Sequence, residues 1–123
     1  MNIELLREYC IQKPAVTEEF PFDQDTLVFK VLGKMFALAS LRKWEEGQAA
    51  INLKCDPEKA EELRSDYESI KPGFHMSKKH WNTVELFHGE LSTEFIQELI
   101  DESYRLVVKG MTKKQQAALK TYQ

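Results

Sequence analysis

The chain has 123 residues, of which 42% are hydrophobic and 30% are charged, and its formal net charge at pH 7 is −3. Such a length and composition are typical of one globular domain with a single core. The acidic balance excludes the broad attraction to phosphate that basic nucleic-acid-binding proteins exert. The longest apolar run, Met35 to Ala39, is far shorter than the roughly 20 residues that span a bilayer, so we expect no membrane segment.

The start of the chain and the cysteines indicate a cellular compartment. The first residues, MNIELLREYCIQK, lack the basic start, apolar centre and cleavage site of a signal peptide. Cys10 and Cys55 belong to no CxxC pair, which is typical of reduced thiols. We therefore expect a cytoplasmic protein without a disulfide. Both cysteines are interpreted as packing residues, with a reactive thiol as the alternative.

The first part of the chain predicts a helix followed by a connection. Apolar residues at spacings of three and four indicate a first helix that ends before Pro14. The acidic stretch from Ala15 to Gln24 is interpreted as irregular. Within it, Phe20, Pro21 and Phe22 are expected to cover the core.

The middle of the chain predicts three antiparallel strands. Leu27 to Val31 and Lys34 to Leu41 are rich in β-branched and aromatic residues, and Leu32-Gly33 between them supplies a tight turn. A third strand, Gln48 to Lys54, follows a polar turn from Lys43 to Gly47. These segments form a meander.

The second half predicts three helices and a strand. Asp56, as N-cap, and Pro57, at the first helical position, start a helix that Pro72-Gly73 stops. A strand follows from Asn82 to Phe87. A long helix then runs from Ser92 to Gly110, and the chain closes with a short basic helix that has capping-box spacing at its start.

The segment from Ile70 to Asn82 contains no carboxylate, although the protein is acidic overall. Phe74 to Met76 are expected to form a short strand, and Ser77 to His80 an exposed connection before the second tryptophan. Cations, imidazole and amide donors and an indole ring in such a loop suit contact with phosphates and bases. The residues that offer these groups are His75, Lys78, Lys79, His80, Trp81 and Asn82.

Each of these residues also has a structural interpretation. Trp81 is either a lid over the core or a stacking platform. Lys78 and Lys79 are either phosphate contacts or a solvated turn. His75 can hold the loop by a hydrogen bond, and Asn82 can bond to backbone at a strand edge.

Motifs for catalysis and for metal ions do not emerge from the sequence. There is no GxSxG, no P-loop and no dinucleotide fingerprint, and neither cysteine lies in a catalytic motif. His75, His80 and His88 lie near one another but match no zinc spacing. We therefore expect a protein that is not an enzyme and holds neither a cofactor nor a metal ion.

Fragments spread over nearly the whole chain resemble the MmcQ/YjbR family of small bacterial proteins. They are Glu19–Phe22, Phe29–Ala37, Asn52–Lys54, Asp56-Pro57, Leu63-Arg64, Pro72–Asn82 and Ser103-Tyr104. The resemblance implies one domain over residues 1–123 with an α+β, frataxin-like (CyaY-like) fold, in which helices pack on one face of a twisted antiparallel sheet. It also implies DNA binding through a double-wing arrangement, and it adds Lys54 to the candidate nucleic-acid-binding residues.

The resemblance to frataxin raises iron handling as an alternative, which is associated with an acidic first helix. Here that helix has only Glu4 and Glu8, and Arg7 offsets them. The prediction is therefore a cytoplasmic binding module that contacts DNA or another nucleic acid through the loop from Lys71 to Asn82. The alternative is a protein-interaction or small-ligand-binding domain in which the same loop frames a pocket.

Overall fold

The computed structural model describes residues 1–122, in which helices pack on an antiparallel sheet. The helices are α1 (Ile3–Ile11), α2 (Leu41–Glu45), α3 (Pro57–Asp66), α4 (Thr93–Lys109) and α5 (Lys113–Lys120). The strands are β1 (Val16–Glu19), β2 (Thr26–Val31), β3 (Lys34–Ser40), β4 (Ala50–Lys54), β5 (Ile70–Pro72) and β6 (Trp81–Glu85). They form a sheet in the order β1-β2-β3-β4-β6-β5, and all neighbours are antiparallel. The predicted α+β class is confirmed.

One face of the sheet carries the hydrophobic core. Successive residues of a strand point to opposite faces. Phe29, Ile51 and Leu53 are buried on the helix side, and they join a cluster with Leu6 of α1 and Ile100 of α4. Because α4 contacts β2, β3 and β4, the longest helix covers the middle of the sheet.

The opposite face of the sheet is here called the open face, and one row of side chains crosses it. The strand register places these residues next to one another, from β2 to β5: Val28, Leu38, Asn52, Thr83 and Lys71. Val28 and Leu38 are buried but lie outside the core cluster of the helix side. The open face therefore has an apolar part near β2 and β3 and a polar part near β6.

Side chains that accept backbone N–H groups mark the predicted starts of three helices. Asp56 accepts such a bond at 3.2 Å before α3, and Ser92 accepts one at 3.1 Å before α4. Thr112 and Gln115 form the predicted capping box at the start of α5. These bonds satisfy N–H groups that lack a partner within the helix.

The hairpin of β2 and β3 turns at the predicted residues. Leu32 and Gly33 have φ angles of 47° and 80°. Left-handed angles at both positions are those of a type I′ turn, which matches the twist of the flanking strands. Glycine accepts such an angle without steric conflict. The hairpin prediction is therefore confirmed.

The connection after α1 differs from its prediction. The stretch from Ala15 to Gln24 is not wholly irregular, since it contains β1, which pairs with β2. Ala15 has a φ of 61°, and this left-handed angle redirects the chain into the strand. Phe20, Pro21 and Phe22 are all exposed, so the prediction that they cover the core is wrong.

The polar stretch from Lys43 to Gly47 also differs from its prediction, because its first three residues belong to α2. Ser40 caps this helix by accepting the N–H of Lys43 at 3.4 Å. Trp44 packs partly buried against the core cluster, and its indole N–H donates to the carbonyl of Ala50 at 3.0 Å. A tertiary contact of the aromatic ring thus favours a helical turn here.

The helix α3 ends at Asp66, well before the Pro72-Gly73 pair that is predicted to stop it. Tyr67 is already extended, with φ −131°. Ile70 continues the apolar spacing of α3 in the sequence, but it belongs to β5 and pairs with Val84 of β6. Strand pairing therefore overrides the helical pattern after Asp66.

Candidate nucleic-acid interface

The eight residues from Gly73 to His80, here called the basic loop, join β5 to β6. The short strand predicted from Phe74 to Met76 does not form, because the left-handed φ of His75, 59°, interrupts extended backbone. The N–H of Gly73 donates to the carbonyl of Trp81 at 2.9 Å. The two ends of the loop are thus joined directly.

Arg64 of α3 fixes the C-terminal part of the basic loop. Its Nε donates to Oδ1 of Asn82 at 2.6 Å. Its Nη2 donates to the carbonyl of Lys78, and also to that of Trp81 at 3.3 Å. A planar guanidinium with several donors suits such a set of acceptors. One side chain therefore holds three backbone or amide oxygens in place.

A second set of hydrogen bonds fixes the N-terminal part of the basic loop on the open face. The N–H of Phe74 donates to Oγ1 of Thr83 at 2.9 Å, and that hydroxyl donates to Oδ1 of Asn52 at 2.6 Å. The amide Nδ2 of Asn52 donates back to the carbonyl of Phe74 at 3.3 Å. These bonds close a ring, so the backbone at Phe74 is held on both sides.

Lys78 and Lys79 are exposed, as predicted for this connection. The ammonium of Lys78 donates to the carbonyl of Gly73 at 3.0 Å. Among residues 1–122, no carboxylate lies within 4.0 Å of either ammonium. The positive charge at this point of the surface is therefore not neutralised by a direct ion pair.

Lys71, which opens the predicted segment, has a different environment. Its ammonium lies 2.7 Å from Glu85, and Nε2 of His88 lies 2.8 Å from the same carboxylate. Partial burial opposes ionisation of Glu85, but the bonds from Lys71 and His88 outweigh it and hold the pKa of this carboxyl below its usual value. The charge of Lys71 is thus compensated within the protein.

The two imidazoles and the indole of the predicted site differ in exposure. His75 and His80 are exposed, and the His75 ring packs against that of Phe74 with centroids 4.0 Å apart. Trp81 is half-buried. Both interpretations of Trp81, a lid over the core and a stacking platform, therefore stay predictions.

Lys54 and Asn82 have surroundings that differ from those of the two exposed lysines. Lys54 pairs with Trp81 across β4 and β6 and lines a cavity of about 340 Å³ together with Glu98 and Glu102. Asn82 is 2% exposed, and its amide Nδ2 points to the carbonyl of Ala60 at 3.4 Å while its oxygen accepts from a guanidinium. Its burial does not fit the predicted direct contact with phosphates or bases, and Asn82 instead positions the basic loop.

Arg64 is the functional candidate that the sequence pattern does not single out. It lies in the acidic helix α3, 18 residues before Asn82, with which it bonds. Charge patterning along the chain does not reveal a partner at that distance. The one signal in the sequence is that Leu63-Arg64 belongs to the fragments that resemble the family.

Comparison with known proteins assigns the chain to a family. A model of the YjbR family matches residues 11–106. The chain belongs to the YjbR family. Relatives in this family include YbdF of Escherichia coli O157:H7, which is 40% identical over 92% of this chain and 89% of its own length. YjbR of Escherichia coli K12 is 36% identical over 88% of each chain. Both names describe the proteins as uncharacterized and state no activity.

Solved structures of similar chains have the same fold. The Deinococcus radiodurans protein DR2400 is 42% identical, with a TM-score of 0.85 over 96% of this chain and 87% of that one. A protein from Pseudomonas syringae is 30% identical, with a TM-score of 0.72 over 86% of this chain and 98% of that one. The prediction of the YjbR family is therefore confirmed.

Other predicted features concern membranes, metal ions and thiols. Within residues 1–122, no helix is long and apolar enough to cross a bilayer. The same residues contain no cluster of three or more His, Cys, Asp or Glu side chains that could hold a metal ion. Cys10 and Cys55 are free and buried. Burial raises the pKa of the Cys10 thiol to about 12 and that of Cys55 above its usual value, which disfavours the reactive thiolate.

Proposed function

We propose that this YjbR-family protein is a non-catalytic, cytoplasmic binding module whose basic loop contacts a nucleic acid, with DNA as the first candidate. The observation that supports the proposal is the exposure of Lys78 and Lys79, which have no carboxylate within 4.0 Å in the described part of the chain. Because Arg64 and Thr83 already hold the loop backbone, little conformational entropy is lost when it binds.

The proposal assigns a role to each exposed group. Lys78 and Lys79 contact phosphates as point charges, and His75 and His80 add hydrogen-bond donors. The half-buried Trp81 adds aromatic surface at the end of the same loop. The proposal includes the frataxin-like (CyaY-like) interpretation of the fold and the double-wing mode of DNA binding, with the basic loop as one wing.

The test is a salt titration of binding to labelled DNA and RNA, single-stranded and duplex. The double variant Lys78→Ala, Lys79→Ala should bind more weakly. For duplex DNA its log–log slope against salt should be shallower by roughly 1.8, because each lost phosphate contact removes roughly 0.9. Curves that coincide with those of the wild type would remove the basic loop from the interface.

The matched control is the double variant Lys113→Ala, Lys114→Ala at the start of α5. These two lysines are also adjacent and exposed, so their removal changes the net charge of the protein by the same amount. The control should retain wild-type affinity and slope. An equal loss in both double variants would mean that net charge, and not the basic loop, governs binding.

A second candidate function is small-ligand binding, and a cavity of about 870 Å³ near the start of α1 favours it. Its wall includes Leu41, Trp44 and Leu86, and its volume lies within the roughly 300 to 1,000 Å³ of small-molecule sites. An apolar fluorescent dye should bind the native protein, and Leu86→Lys should abolish that binding by placing a charge in the cavity. Unchanged dye binding in this variant would contradict the second candidate.

A further inference from the structure

A cleft of about 490 Å³ lies on the open face, beside the basic loop, and is here called the open-face cleft. Its lining includes Leu38 of β3, Asn52 of β4 and Thr83 of β6, which are neighbours in the row across the sheet. Phe22, from the segment before β2, and Phe74, from the basic loop, also line it. The cleft thus combines apolar, polar and aromatic surfaces.

The two phenylalanines approach the cleft from opposite sides. In the sheet, β3 and β4 lie between β2 and β6. At roughly 4.8 Å per strand, the segments that carry Phe22 and Phe74 are anchored about 14 Å apart. Phe22 is 64% exposed and Phe74 is 56% exposed. Exposed rings on both sides of a cleft leave aromatic surface for a planar group to stack on.

The ring of Phe74 is held in position by several neighbours. Its backbone is fixed by Thr83 and Asn52. The ammonium of Lys43 lies 4.7 Å from the ring centroid, and the His75 ring lies 4.0 Å away, centroid to centroid. His75 adopts its left-handed backbone angle at this point, a conformation that non-glycine residues adopt at an energetic cost.

The charges around the open-face cleft balance one another. Arg42 and Lys43 line it together with Asp23 and Asp25. The backbone N–H of Thr26 donates to Asp23, and the Ser40 hydroxyl donates to Asp25. These bonds are the main causes that hold the pKa of each carboxyl below its usual value, so both carboxyls are ionised. Two cations beside two carboxylates disfavour a phosphate as the occupant and suit an uncharged polar group.

We propose that the open-face cleft binds an unpaired nucleobase, which stacks on Phe74 and Phe22. The inference rests on the proposed function, because the phosphates next to that base would lie on Lys78 and Lys79, four and five residues beyond Phe74. Base stacking on aromatic rings tolerates any sequence, since every base has a π face. Asn52 donates one amide hydrogen to Phe74 and keeps a second for an acceptor on the base.

The first arm of the test compares three labelled DNAs of equal length: a single strand of thymidines, the same strand with abasic sites, and a duplex. The wild type should prefer the intact single strand. Phe74→Leu should reduce its affinity for that strand about tenfold, as expected for the loss of one stacked base, and leave the salt slope unchanged. Phe87→Leu, which alters a ring that is 43% exposed outside the cleft, is the control and should bind as the wild type does.

The second arm uses free thymidine, which carries no phosphate, and follows backbone amide resonances by NMR. Thymidine should shift the signals of Asn52 and Thr83 in the wild type and in Lys78→Ala, Lys79→Ala, but not in Phe74→Leu. If these shifts occur and the lysine double variant binds single-stranded DNA as tightly as the wild type does, the proposed role of the lysines is overturned. The proposal that the cleft binds a nucleobase would then stand. If thymidine causes no shift and the wild type binds the intact and the abasic strand with equal affinity, the proposal that the cleft binds a nucleobase is overturned. The proposed function is then decided separately by the salt titration.

Discussion

The cations around β1 and those of the basic loop have opposite surroundings. Each of three basic side chains near β1 lies within 3.3 Å of a carboxylate, in the pairs Arg7–Glu18, Lys13–Asp101 and Lys30–Glu19. Lys78 and Lys79 have no such partner within the residues described by the structure. Arg64 and Lys78 donate their hydrogen bonds to carbonyl and amide oxygens instead.

The difference shows that an acidic protein can present a local positive surface. The chain has 17 basic and 20 acidic side chains, so the total predicts a slight repulsion of polyanions. A carbonyl oxygen accepts a hydrogen bond without cancelling the charge of its donor. Arg64 and Lys78 can therefore hold the loop and still contribute positive potential, whereas Arg7 beside Glu18 contributes little.

Arg64→Ala is expected to have the largest effect on stability, because it removes the side chain that holds the basic loop. The variant leaves Oδ1 of Asn82 buried without its partner and frees the backbone at Lys78. A hydrogen bond to a charged group contributes about 1.5 to 3 kcal/mol, so the free energy of unfolding should fall by about 3 kcal/mol. Urea denaturation followed by circular dichroism measures it.

Arg105→Ala is the control for this loss. Its guanidinium makes two hydrogen bonds, and both go to Glu102 on the exposed surface of α4. Exposed ion pairs contribute little to stability. A loss for Arg64→Ala no larger than that of the control would show that the loop does not depend on the guanidinium.

Gly73→Ala separates the position of the basic loop from its charge, because it displaces the loop backbone and leaves every charged side chain in place. A Cβ at this position would lie 2.8 Å from the Cβ of Trp81, closer than real contacts allow. Overpacking costs about 1 to 3 kcal/mol in unfolding free energy. Gly110→Ala is the matched control, because its nearest neighbour would lie at 3.6 Å and its φ is −78°. Equal denaturation midpoints in urea would contradict the close approach.

Glu18→Gln removes the ion pair with Arg7 near β1 and should have the smallest effect on stability. The hydrogen bond from Arg7 holds the pKa of Glu18 below its usual value of 4.5. Ionised Glu18 therefore stabilises the folded protein fully above pH 4.5. This stabilisation is lost as the pH falls through the lowered pKa of Glu18. Because both groups face water, the variant should lose less than about 1 kcal/mol at pH 7. Denaturation at pH 7 and at pH 3 should show this difference shrinking; a constant difference would contradict the linkage.

Some of the candidate site follows from the sequence, and some does not. The absence of carboxylates between Ile70 and Asn82 predicts an exposed basic connection, and Lys78 and Lys79 are placed there. The compensation of Lys71 by Glu85 depends on strand pairing between β5 and β6, which short-range patterns do not contain. The open-face cleft likewise joins Phe22 to Phe74, which lie far apart in the chain.

The sequence by itself determined the features that act over a few residues. The caps at Asp56, Ser92 and Thr112 and the turn at Leu32-Gly33 depend on local backbone bonds and angles, so they are visible in the order of residues. Only the tertiary structure decided the edge strands β1 and β5, the burial of Asn82 and its bond to a distant guanidinium. Those depend on contacts between segments, whose energies are set when the sheet assembles.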